Sequence, residues 1–156
     1  MIRALTLSLV LLLAACVSTP SRADPPNPAF EAAIEACLAA ATDPNAVRAC
    51  YGVSARPCIE EGMGATMAYA LCWSNEADVW ERRAASVQAR LAQRDPGRVE
   101  SLEISVAAFA AFVEAECAYR GATFDGGSGA QPAMAQCAAE LWMERVLMLE
   151  ETERGY

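Results

Sequence analysis

Apolar side chains recur along much of this chain at alternating steps of four and three, the spacing that lines up one face of an α-helix. The clearest run is Trp73, Ala77, Trp80, Ala84, Val87 and Leu91, which predicts a long helix from about Ala65 to Arg94. Arg94-Asp95-Pro96-Gly97 should end it, since proline lacks an N–H and glycine is a poor helix former. Val99, Leu102, Val106, Phe109, Val113 and Cys117 repeat the pattern and predict a helix from about Arg98 to Arg120. A last stripe of Ala135, Ala138, Trp142, Val146 and Leu149 predicts a helix from near Pro132 to about Glu153. Upstream, a helix is expected from about Pro28 to Ala41, opened by proline and stopped before Asp43-Pro44. A shorter one should cover about Asn45 to Val53. No alternating strand pattern, internal repeat or second domain is evident. The expected fold is therefore all-α: three long helices plus one or two short N-terminal ones, consecutive long helices antiparallel with stripes turned inward. Trp73, Trp80 and Trp142 each lie on a stripe and read as core packing. The alternative is an exposed aromatic anchor for a partner, for which Trp142 is the first candidate because Leu141 and Met148 also claim the inward side of its helix.

The N-terminus follows a different rule. Met1-Ile2-Arg3 gives a short positive start to the apolar run Ala4 to Ala15, which is too short to span a bilayer comfortably and reads as an export signal. Leu13-Ala14-Ala15-Cys16 matches a lipobox, with cleavage after residue 15 and lipid on Cys16; Ser21-Arg22-Ala23 offers an ordinary cleavage site as the alternative. On the favoured reading, residues 16–28 form a proline-rich tether and 29–156 the domain. Membrane attachment is then through lipid alone. Val17 after the lipidated cysteine points to the outer membrane, by analogy with lipoprotein sorting; ordinary cleavage would leave a soluble periplasmic protein.

Without Cys16, six cysteines remain, an even number in an exported chain and hence a disulfide framework. Cys37 and Cys50 flank Asp43-Pro44-Asn45; Cys58 and Cys72 flank Gly62-Met63-Gly64; Cys117 and Cys137 flank a glycine-rich stretch. Thirteen residues of unbroken helix would hold two cysteines ~20 Å apart, whereas a disulfide needs Cα atoms within ~7 Å. Turns between the members of each pair remove that obstacle, so three sequential bridges are expected among the 15 possible pairings. Zinc is the rival, but no C-x-x-C spacing and no histidine support it.

Composition narrows the chemistry further. The 156 residues hold 12 arginines and 20 acids, with no lysine and no histidine, for a net charge of −8. Histidine-based triads, imidazole metal sites, Schiff bases and P-loop lysines are thereby excluded. The acidity also argues against nucleic acid and suits a basic protein partner. No cofactor is implied. Carboxylates are the remaining acid–base groups, yet Glu60-Glu61, Glu114 with Glu116, and Glu150-Glu151-Glu153 do not form shared helix faces and read as solvated surface. An enzyme using distant carboxylates is the weakest of three readings; a partner-binding envelope protein and a purely structural periplasmic module precede it. Asp125-Gly126-Gly127-Ser128 lacks the rest of a phosphate loop and reads instead as a flexible loop available for partner binding.

From Cys58 to Leu149 the chain resembles the lysozyme-inhibitor LprI-like N-terminal domain family of bacterial envelope proteins. The resemblance rests on Cys58, on Met67 and Cys72 in MAYALC, on Glu76-Ala77-Asp78-Val79-Trp80-Glu81, on Ala115-Glu116-Cys117, on Gly126-Gly127-Ser128, and on Cys137 and Arg145. Phe109 stands where the family usually has tryptophan, Val113 where it has arginine, and Arg83-Ala84-Ala85 replaces an asparagine-tyrosine run. The resemblance implies a non-catalytic protein that binds lysozyme or another basic cell-wall hydrolase and blocks it.

Overall fold

The computed structural model describes residues 27–155; the expected export signal, Cys16, most of the proline-rich stretch and Tyr156 lie outside the described residues. Among the described residues there are six α-helices and no strand: α1 (Pro28–Ala40), α2 (Pro44–Arg48), α3 (Ala55–Glu61), α4 (Thr66–Arg94), α5 (Val99–Ala122) and α6 (Ala130–Arg154). Pro96–Arg98 forms a 3-10 turn. The fold is all-α and disulfide-stapled, as the stripes and cysteine parity predict. Asn27 caps α1 by accepting the Ala29 N–H, and Asp43 caps α2 by accepting from Asn45 and Ala46. Both helices open with proline, whose missing N–H costs nothing there. The helix expected to reach Val53 stops at Arg48, and the separate helix α3 was not foreseen.

The layering also departs from expectation. Consecutive long helices do run antiparallel, but α6 lies in the middle and separates α4 from α5. Arg83 pairs with Glu150 at 3.1 Å and Arg90 with Glu153 at 2.7 Å, so α4 and α6 run parallel. On the other flank Arg145 meets Ser105, Trp142 meets Phe109 and Cys137 bonds Cys117, so α5 runs antiparallel to α6. The stripes record this difference. Every stripe residue of α4 from Trp73 to Leu91 is buried. On α5 only Val113 and Cys117 are; Val99, Leu102, Val106 and Phe109 remain half-buried because a single neighbour covers them.

The short helices cover the opposite side of α4 and α6. Phe30 and Ile34 are buried there, Tyr51 stacks on Trp73 with centroids 4.9 Å apart, and Arg48 forks onto Glu144. Three bridges join Cys37–Cys50, Cys58–Cys72 and Cys117–Cys137, with Cα separations of 5.7, 5.8 and 5.5 Å. They tie α1 to the turn after α2, α3 to α4, and α5 to α6. On the chain-entropy account each stabilises the fold by about 3 kcal/mol.

Trp142 is corrected by the structure. It is 8% exposed and packs edge-on against Phe109 at 5.3 Å, so it is a core residue and not an exposed anchor. With neighbours on several sides, α6 buries a wider arc than a single stripe, and that arc includes Trp142.

Candidate functional site

Because α5 packs mainly on α6 and meets α4 at few points, a trough opens between α4 and α5. Its lower part, a space of about 450 Å³, is walled by Met67, Leu71 and Ser74 of α4, Val113 and Glu114 of α5, and Met134 of α6. Its upper part, about 350 Å³, lies between Gln88 and Ala92 of α4 and Leu102, Glu103 and Val106 of α5. Asp78, Glu81 and Ala85 continue the three-four spacing on α4 between Ser74 and Gln88, so they lie on the same face of the helix, and all three are exposed. This outward stripe spans about 38 Å of helix axis. It is apolar at the lower end and acidic in the middle.

The acids in the trough sit in unusual surroundings. Asp78 and Glu81 are exposed, yet the protein around them displaces enough water to push both carboxyls above the ordinary range. Repulsion from Asp78 raises Glu81 further, while Arg82 offsets part of the effect at both. Among the described residues, neither acid lies within ion-pair distance of a cation; nor does Glu103 or Glu114. Elsewhere five arginines are engaged by carboxylates: Arg48 with Glu144, Arg83 with Glu35 and Glu150, Arg90 with Glu153, Arg98 with Asp95, and Arg120 with Glu116 and Glu140.

The loop after α5 borders the lower end of the trough. Gly126, Gly127 and Ser128 face Thr66 and Met67 across a space of about 460 Å³. Asp125 and Gly126 both take positive φ, 49° and 75°, a conformation that aspartate tolerates better than most side chains and glycine adopts freely. The Cys117–Cys137 bridge holds the helices on either side, so a mobile-looking composition is mounted on a fixed frame. All four residues from Asp125 to Ser128 are exposed.

Two buried polar groups hold this frame. Glu76 lies fully buried on α4 between Trp73 and Trp80. Its Oε1 accepts from the Gly52 N–H at 2.6 Å and the Trp80 Nε1–H at 3.3 Å. Its Oε2 accepts from the Ser54 hydroxyl at 2.7 Å and from the Ser54 and Ala55 N–H groups at 3.2 and 2.8 Å. Helix α3 has no side-chain cap of its own, so a carboxylate from another helix satisfies its N-terminal donors. Arg145, 9% exposed, stands over the Phe109 ring at 4.9 Å and donates to the Ser105 hydroxyl at 2.8 Å. Burial holds its guanidinium below the usual arginine range, and its Nε has no partner among the described residues. Both residues support the scaffold; neither lies open to a ligand.

The structure thus brings the glycine loop and the α4–α5 trough together and removes Trp142 from the surface. Among the described residues no cluster of three potential ligands could hold a metal ion, and the six cysteines are spent in bridges. Of the acidic clusters expected at the surface, Glu116, Glu150 and Glu153 are taken up by ion pairs. The trough was missed because its residues read as an ordinary solvated helix face. Met67 and Leu71, 62% and 56% exposed on that same face, are the signal that was present.

A family model described as lysozyme inhibitor LprI matches residues 58–149. That span takes in both bridges of the long-helix region, Glu76, the trough and the loop, and leaves out α1, α2 and the Cys37–Cys50 bridge. No curated protein and no solved structure matches the chain.

Proposed function

The chain belongs to the lysozyme inhibitor LprI family, and on that premise we propose that it is a non-catalytic, exported envelope protein that binds and inhibits a basic cell-wall hydrolase of the lysozyme class. The family match over residues 58–149 carries the reading. The net charge of −8 supports it, since many animal lysozymes are basic and opposite charge accelerates encounter. Three disulfides suit an oxidising compartment outside the cytosol. The proposal includes a lipid on Cys16 that holds the domain at the periplasmic face of the outer membrane, with residues 16–28 as tether. The exposed loop Asp125–Ser128 enters or covers the substrate cleft of the hydrolase.

Affinity capture tests the reading. The protein immobilised on resin should retain a basic animal lysozyme at low salt and release it near 1 M salt, where the Debye length is about 3 Å. Failure to retain lysozyme at low salt would leave a structural module of the envelope in place of an inhibitor.

A further inference from the structure

We infer that the trough between α4 and α5 is the surface on which the hydrolase docks, and that its occupant is a cationic segment with an apolar side chain at one end. This inference rests on the inhibitor reading and adds where and by what chemistry the partner is held.

The walls argue for a charged occupant. Glu103 and Glu114 line the α5 side, and Asp78 and Glu81 share the exposed face of α4 that carries Ser74 and Gln88. Arg82 acts on both of these α4 acids, and one of its buried nitrogens has no partner among the described residues. None of the four acids has an ion-pair partner among the described residues, a property they share with Glu100 and Glu151, whereas Glu116, Glu140, Glu144, Glu150 and Glu153 are paired with arginine. Asp78 and Glu81 have already lost part of their hydration to the surrounding protein. An incoming arginine or lysine therefore gains a carboxylate partner while much of the desolvation cost has been met in the free protein.

The lower end argues for an apolar contact beside that charge. Met67 and Leu71 are largely exposed on the trough side of α4, and Met134 of α6 joins them, 41% exposed. The Gly126–Ser128 loop closes this end, which makes the loop and the trough one continuous surface. A second copy of this chain is a poor occupant, because it would bring the same acids face to face. Anionic lipid and nucleic acid are disfavoured for the same reason.

The test compares the purified wild-type protein with three variants in binding to basic animal lysozyme at low salt. The double variant D78N/E81Q removes two charges from the trough, A85R places a bulky cation in it, and E60Q/E61Q removes two charges from the exposed end of α3 as the control. Melting curves verify that each is folded. The trough variants should each weaken binding about tenfold or more, with a shallower salt dependence for D78N/E81Q, while the control stays within about twofold of wild type. If wild type binds and either folded trough variant binds equally well, the docking surface is wrong and the inhibitor reading stands. If wild type does not bind, both fall.

Discussion

Replacing Glu76 by glutamine changes one atom of a buried side chain and tests how the N-terminal helices are attached to the long ones. The carboxylate receives five hydrogen bonds, three at one oxygen and two at the other. A carboxamide keeps a single acceptor oxygen, so in either orientation its NH₂ group faces at least two donors that lose their partner. Each buried donor so stranded costs about 1–3 kcal/mol, for a total of roughly 2–5 kcal/mol. In a chain of this size that corresponds to a drop in melting temperature on the order of 10 °C. The loss should be local first. Hydrogen exchange at the amides of Gly52, Ser54 and Ala55 should quicken before the core of α4 and α6 responds, because the Cys58–Cys72 bridge still tethers α3. If E76Q melts within about 2 °C of wild type with these amides still protected, the carboxylate does not anchor α3 and the reasoning fails.

Four further outcomes follow from particular groups. Gly52 has φ of 81°, and an added Cβ would lie 2.6 Å from Arg56 Nε and 3.1 Å from Trp73, so G52A should cost about 1–3 kcal/mol in chemical denaturation. Arg145 lacks a carboxylate partner among the described ion pairs, so R145M, which keeps an unbranched chain against Phe109, should leave the midpoint of unfolding unchanged or higher; a large loss would show that the guanidinium is a net stabiliser. The trough acids give a pH signature. Folding raises the Asp78 and Glu81 carboxyls, so the folded state holds their protons more tightly and the cost of ionising them is felt at neutral pH. D78N/E81Q should therefore melt above wild type at pH ~7, an advantage that fades as the pH falls through the raised values and is gone below the ordinary carboxylate range near ~4. Glu153 acts in the opposite sense. Arg90 depresses its carboxyl, so that pair supports the fold above the ordinary range and is lost on acidification through the lowered value.

The long helices were legible in the sequence because their stripes are buried by neighbours of the same kind. The bridges were legible because turn residues fall between consecutive cysteines. Helix α3 was not: its seven residues are too few for a repeating stripe, and its cap comes from Glu76, 21 positions beyond Ala55. Which helix lies in the middle was equally hidden. A stripe shows that a face is covered but not by how many elements, and α6, flanked on several sides, buries Trp142 along with Met143, Val146 and Leu147. Of the candidate site, the loop was visible through its glycines. The trough was not, because an exposed three-four stripe of mixed character looks like solvated helix until its neighbour is seen to stand away from it. Glu76 itself carried a signal, a carboxylate three residues after Trp73 and four before Trp80 on the inward face of α4.

The most direct measurement of the central claim is the clearing of a bacterial cell-wall suspension by a basic lysozyme in the presence of the purified protein. Clearing should slow as the protein approaches equimolar amounts, added salt should restore it, and D78N/E81Q should inhibit less than wild type at the same concentration. Undiminished clearing at a large molar excess of folded, disulfide-bonded protein would contradict that claim.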